Sequence, residues 1–314
     1  MIPSISMVHV DELLTNVSIA YENANFVANV LSPDLPVNKQ SNKYPVFDLS
    51  HFRTVDDRRA PGAEANQMPA WNLSKNSYFC DGHALCDFID DTTRANADEA
   101  TDIDVQTTEG ISETMMLNRE VALQQLVFGG GSTVPQAALS GTSKWSDFVN
   151  SNPILAIDEQ KVAIQKASTK SPNKLMLSYD VFSQVRNHPA VIDRVKYTQR
   201  ADQLNEQDLA AAFGVDQVVV AKALVQTVNE GQADALDYIW KNSALLFYVP
   251  PAIGLRTISL LAGFMWTYGV PKNQGRLVKR YREERRTSDV IENQWYYDDE
   301  IIVPGAGFGW TAVV

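Results

Sequence analysis

The residues with the most chemical potential sit in one run, Cys80-Asp81-Gly82-His83-Ala84-Leu85-Cys86. Two thiols and an imidazole this close together are part of a zinc donor set. A structural zinc needs four protein ligands, and a catalytic one needs three with an open position and a nearby acid. The other histidines are His9, His51 and His188, and there is no third cysteine to complete a site. Apolar Phe79, Leu85 and Phe88 interleave the run. The favoured reading is two free cysteines acting as small hydrophobes. Cys80, Cys86 and Phe88 share strand parity and are expected on one half-buried face. No metal and no cofactor is expected, and no catalytic residue is assigned; a metal-dependent enzyme centred on Cys80, His83 and Cys86 is the competing reading.

Two glycine runs invite phosphate chemistry and fail on context. Gly305-Ala306-Gly307-Phe308-Gly309 follows the apolar Ile301-Ile302-Val303. A dinucleotide loop must feed a helix whose N-terminus holds the pyrophosphate. With Val314 the last residue given, a strand or turn is expected there instead. Gly129-Gly130-Gly131-Ser132 lacks the lysine of a P-loop and follows a helical pattern. No serine–histidine–acid set carries a local motif such as a nucleophile elbow.

The basic run Lys272, Arg276, Lys279, Arg280, Arg282, Arg285 and Arg286 is interrupted by only Glu283 and Glu284. It has the charge to touch nucleic-acid phosphates. It is equally suited to pairing with acids, which the chain supplies between Asp98 and Glu120, within one subunit or between subunits. A net charge of −11 argues against a whole surface built for nucleic acid, so pairing is favoured and any DNA contact is expected to be non-specific.

The elements that must hold these residues are of ordinary globular composition, 45% hydrophobic and 21% charged, in a chain long enough for two moderate domains. Two cysteines exclude a disulfide framework and fit a reducing compartment. The first ten residues lack the basic start and apolar core of a signal peptide. The apolar stretches Ala244–Ile253 and Ile258–Val270 are interrupted by Pro250, Pro251 and Gly263, short of the ~20 residues that span a bilayer. A soluble, intracellular product is expected.

Val8, Leu13, Val17 and Ala20 fall at helical spacing behind Asp11 and Glu12. Pro36, Pro45, Pro61 and Pro69 exclude a helix through residues 36–80, where Tyr44–Phe52 and Trp71–Phe79 have β character around a Pro61-Gly62 turn. Such a two-armed ribbon is marginal alone and is expected to lie on something else. A helix is predicted from about Asp98 to Phe128, with a stripe of Ile111, Met115, Ala122 and Leu126 beside Leu117 and Val121. It would be a rod of about 45 Å, stopped by the glycines. Further helices are predicted at Lys144–Val149, Ile157–Ala167, Tyr179–Arg186, Val191–Tyr197 and Glu206–Phe213. Strands are predicted at Lys174–Ser178, Val218–Val220 and Ser243–Val249, and the last fifty residues read as β-rich. The class is α+β without regular βαβ alternation.

Several of these segments, in order, resemble the major capsid proteins of tailed phages with the Hong Kong 97 fold, in a siphophage-type subfamily. They are the Arg59-Ala60-Pro61-Gly62-Ala63 tip, the acidic helix ending near Phe128, Asn173–Phe182 followed by Arg186-Asn187-His188-Pro189, and Ala212–Val215. Ile239–Pro251 and Arg280–Glu292 complete the set, which spans most of residues 40–303. The resemblance implies an N-terminal arm (1–35), an extended loop (36–80), a peripheral domain (81–150 and 265–303) with a spine helix over about 98–128, and an axial domain (151–264 and 304–314). It implies self-assembly into hexamers and pentamers of an icosahedral shell around double-stranded DNA, a virion location after synthesis in the bacterial cytoplasm, and no enzymatic activity. Arg59, Pro61, Gly62 and Trp71 in the loop, with Arg282, Arg285 and Arg286, are the residues expected at intersubunit contacts. The short N-terminal part leaves a separate scaffolding protein as the expected assembly partner, beside a portal and a decoration protein, with no membrane. Lys39, Lys43 and Lys75 lie away from the loop tip, so the lysine–asparagine crosslink of some relatives is not carried over. An encapsulin-like compartment of the same fold is the alternative, and a minor virion or decoration protein a weaker one.

Overall fold

The computed structural model describes residues 11–21, 23–47, 54–62, 64–68, 73–96, 100–195, 204–229, 231–267 and 275–314. The first of its two five-stranded sheets is ordered β1 (Asp34–Val37), β11 (Leu261–Trp266), β13 (Ser288–Ile301), β12 (Arg276–Glu283), with β4 (Asp81–Asp90) also paired to β13. β13 organises this sheet. Its first part runs antiparallel between β12 and β4, and its last residues pair with β11. Along β13, Ile291, Asn293, Trp295 and Tyr297 are buried with a period of two, the signature of one covered face.

The cover is α4 (Ala100–Phe128), the predicted rod, with α1 (Glu12–Ala20) and the short α3 (Asp91–Asn96) beside it. Asp11 caps α1 by accepting from the N–H groups of Leu13 and Leu14. The buried face of α1 is Leu14, Thr15 and Ser18, whereas Leu13 points outward. The stripe predicted on α4 is also corrected. Ile111 and Met115 are buried, but Ala122 is exposed, and the covered face continues through Arg119, Glu120, Leu123 and Val127. Two charged residues on the buried stripe hid its true phase.

The second sheet is ordered β5 (Gln136–Ala138), β14 (Gly307–Thr311), β10 (Ser243–Phe247), β6 (Lys174–Ser178), β7 (Gln217–Ala221). One face carries α5 (Pro153–Ser168), α6 (Tyr179–Arg186), α7 (Pro189–Val195) and α8 (Glu206–Phe213) around a core that includes Ile157, Leu175, Leu177, Leu209 and Phe213. The other face packs on the end of α4 and on α2 (Ala28–Leu31), through Leu123, Val127, Trp240, Leu245 and Phe247. The approach is close: a Cβ on Gly309 would lie 2.7 Å from the Phe128 ring. The glycine run near the end of the sequence thus forms β14 and its preceding turn, as expected.

Two small ribbons complete the structure: β2 (Ser41–Phe47) with β3 (Leu73–Phe79), and β8 (Leu224–Gln226) with β9 (Leu236–Tyr238). β2 starts three residues before the predicted arm. Lys144–Val149 is a set of turns instead of a helix, because the Asp147 carboxylate accepts from the N–H groups of Val149 and Asn150 and holds the backbone there. α5 starts at Pro153, ahead of the prediction, with Asn152 as its cap.

Candidate assembly surfaces

Among the described residues the β2–β3 ribbon is anchored at its base, through Tyr44, Val46 and Tyr78. Tyr78 stacks on Phe264 with ring centroids 4.4 Å apart, and Tyr44 lies 5.3 Å from the same ring. Cys80 donates its N–H to the Gln40 carbonyl at 2.9 Å, and the Gln40 amide donates to the Cys80 carbonyl at 3.1 Å. Beyond the base, Ser74–Ser77 are exposed, and so are residues 54–62 and 64–68. The tip turns at Gly62, whose φ of +83° suits glycine, and the Asn66 amide crosses it to the Asp56 carbonyl at 2.9 Å. Arg59, Pro61 and Gly62 are all exposed there; Trp71, like His9, His51 and Lys272, lies outside the described residues.

The arginine run lies on β12 and its turn into β13, where it meets acids of its own chain. Arg280 contacts Asp104 of α4 at 3.0 Å and Asp289 at 3.1 Å, and Arg94 contacts the same two aspartates at 2.6 and 3.3 Å. Arg282 grips Asp91 with two bonds of 2.5 and 2.6 Å. The bonds from Arg282 hold the Asp91 carboxyl below the usual carboxylate range. Arg276 is buried over the Trp295 ring, 4.4 Å from its centroid. At the turn, Arg285 is exposed and Arg286 lies 4.3 Å over the Phe88 ring. The six expected sites among the described residues therefore fall in two separate places, the ribbon tip and the β12–β13 hairpin.

The Cys80–Cys86 run does not converge. Cys80 is fully buried between β3 and β4, its thiol donating to the Phe264 carbonyl at 3.3 Å, and burial pushes it up to about 12. Cys86 and Phe88 are exposed on β4, which corrects the expectation of one half-buried face. His83 stacks on Tyr297. Among the described residues no three His, Cys, Asp or Glu side chains are placed to hold a metal.

A serine–histidine–aspartate grouping that sequence spacing did not reveal joins Ser151, His188 and Asp147. His188 Nε2 is 3.1 Å from Ser151 Oγ, but His188 Nδ1 accepts the Ala190 N–H at 3.2 Å. That acceptor role leaves the proton on Nε2, so the ring donates to the serine and cannot take its proton. The Ser151 hydroxyl in turn donates to the Asp147 carbonyl. The group caps α7 and has no nucleophile.

Two buried charges missed by sequence reading fix the surfaces in place. Arg119 is 2% exposed. It makes a fork of two 2.8 Å bonds to Asp299 and donates to Asp34 at 3.0 Å, Asn29 at 3.1 Å and the Ser32 carbonyl at 3.2 Å. Gly263 makes the room, since a Cβ there would sit 2.5 Å from the Arg119 guanidinium. Glu120 accepts from the Ala28 N–H at 2.8 Å and from the Trp240 indole at 2.5 Å, joining α4 to both the N-terminal segment and the second sheet. Burial holds its carboxyl above the usual value.

The sequence model of the family described as "Phage major capsid protein E" matches residues 131–278. A major capsid protein of Burkholderia phage BcepMu is 28% identical over 246 residues, 77% of this chain and 76% of that protein. A phage-related protein from Bordetella bronchiseptica RB50 superposes with a TM-score of 0.77 at 21% identity, covering 98% of both chains. The capsid of cyanophage P-SCSP1u gives a TM-score of 0.57 at 12% identity, covering 93% of this chain and 89% of that one. No helix among the described residues is long and apolar enough to cross a membrane.

Proposed function

We propose that this chain, a relative of the phage major capsid proteins with the Hong Kong 97-like fold, is the shell-building subunit of a phage head, assembling into hexamers and pentamers around double-stranded DNA. The observation that carries the reading is the β2–β3 ribbon, packed at its base and exposed at Ser74–Ser77 and at every described residue from 54 to 68. A lone two-stranded ribbon is marginal in water, and a neighbouring subunit supplies the missing surface. In this reading Arg59, Pro61, Gly62 and Trp71 meet one neighbour, and Arg285 and Arg286 meet another. Arg282 acts through the hairpin that it holds.

The division into loop, peripheral domain (81–150 and 265–303) and axial domain (151–264 and 304–314) belongs to the same proposal. So do a purely structural role without enzymatic activity, synthesis in the bacterial cytoplasm, and separate scaffolding, portal and decoration proteins. An encapsulin-like compartment of this fold is the weaker reading, because curated relatives matching about three quarters of the chain carry the name major capsid protein.

Electron microscopy of the expressed chain, alone and with the product of the upstream gene, tests this. Closed shells of uniform size are expected in at least one condition. Monomers or irregular aggregates in both would count against it, and a lumen that captures a dedicated enzyme instead of DNA would favour the compartment.

A further inference from the structure

The place where the ribbon docks has an unusual charge arrangement. Asp298 and Glu300 project from β13 on the same face as Phe264 and Ala262 of β11, their register partners, under the ribbon base. Asp298 Oδ2 accepts the N–H of Phe79, the last residue of β3, at 2.8 Å. Around them stand Tyr44 of β2, Tyr78 of β3, Cys80 and Asp81. Asp299, between them in sequence, forks with Arg119. Arg119 is thus taken up by Asp299 and by its other acidic partner, Asp34. Neither Asp298 nor Glu300 has an ion pair among the described residues, and the ribbon lysines Lys39, Lys43 and Lys75 make none with them. Two partly buried carboxylates thus sit under the ribbon base with one hydrogen bond to its backbone and, among the described residues, no ion pair to offset their charge.

We propose that Asp298 and Glu300 form a protonation-sensitive clasp at the base of the ribbon, which docks firmly when they are neutral and loosens when they are ionised. Opening the base returns both groups to water and relieves the desolvation and repulsion that docking imposes. Burial is the main influence raising both carboxyls above their ordinary values. The Phe79 N–H opposes it at Asp298, Asp299 and Asp81 reinforce it there, and Asp298 reinforces it at Glu300. The sign follows from linkage: a carboxyl whose value is raised by docking favours the docked state fully below its ordinary value. That support is lost as pH rises through the raised one. The clasp depends only on this chain's own packing and stands whether or not the chain builds shells.

Cys80 is a built-in probe, buried at the base, and Cys86 is the one other cysteine. In full-length chain carrying Cys86→Ser, labelling of Cys80 by iodoacetamide at a fixed pH of about 8 reports base opening without a pH-driven change in thiolate fraction. Loss of the Asp298 charge eases thiol ionisation and so works against the slowing expected when Asp298 and Glu300 are neutralised. The pair Asp298→Asn with Glu300→Gln keeps shape and the acceptor for Phe79 while removing both charges. It should label roughly tenfold more slowly for each pK unit relieved. Equal or faster labelling overturns the clasp. Amide exchange of the unsubstituted chain, corrected for intrinsic rates, gives a second reading that needs no variant. The Cys80 N–H should be better protected at about pH 5 than at about pH 8 relative to β12 amides. The same protection at both, or the reverse, overturns it.

Discussion

Arg119 is the residue on which most separate pieces of chain converge, since its five bonds tie α4 to β13, to β1 and to the Asn29–Ser32 segment. Removing one member of a buried ion pair strands its partners, at a cost of about 3–5 kcal/mol. Arg119→Ala should lower stability by that amount, read as a shifted denaturant midpoint, because Asp299 and Asp34 stay where they are. Gly263→Ala should act in the same direction by crowding the guanidinium, and Arg119→Lys should restore only part, since an ammonium cannot make the fork. His188 gives a pH-dependent counterpart. Burial holds its imidazole below the ordinary value, so the neutral ring's stabilising role is whole above about pH 6.5 and declines as pH falls towards the depressed value. Denaturant unfolding at about pH 7.5 and 5.5 should show a smaller loss for His188→Asn, which can still cap α7, than for the parent chain; equal losses would remove His188 as the cause.

At the scale of elements, the ribbon is the one part whose removal should separate folding from assembly. Its described buried contacts are Tyr44, Val46 and Tyr78, and every described residue between 48 and 72 is exposed, so replacing residues 48–72 with a short glycine–serine turn removes none of the described core. The shortened chain should unfold within a few degrees of the parent and form no shells. In intact shells, amides of residues 41–47 and 73–79 should gain protection that free subunits lack, and equal protection in the two would place the ribbon on its own subunit. Much of this organisation was legible in the sequence. Prolines and β-prone residues marked the two arms, Gly129 the end of the rod, and Gly214 the end of α8. Other parts were not. The buried face of α4 passes through Arg119 and Glu120, whose partners lie about 90 to 180 residues away, and periodicity counts such residues as solvent-facing. The turn at Asp147 was lost for a related reason, because a side chain competing for backbone N–H groups leaves the apolar pattern unchanged.

For the whole molecule, the proposed shell raises the question of how subunits of the same strong charge would come together. Each carries a net charge of −11, while the basic run that might have bridged neighbours is largely engaged at home, by Asp91, Asp104 and Asp289. Two forces therefore compete as subunits approach. Long-range repulsion is screened with a Debye length of about 30 Å at 0.01 M salt and about 8 Å at 0.15 M, and it weakens as salt rises. Short-range pairs involving Arg285 or Arg286 weaken as well, but rim pairs of this kind are worth at most about 1 kcal/mol each. Repulsion between whole subunits should win, so assembly followed by light scattering should speed up between roughly 0.01 and 0.15 M salt. Arg285→Gln with Arg286→Gln makes each subunit more negative, so it should slow assembly most at low salt and leave the unfolding midpoint nearly unchanged. If assembly instead slows as salt is added in the parent chain, and that response vanishes in the double variant, then specific pairs at the β12–β13 turn dominate and net charge is a minor influence.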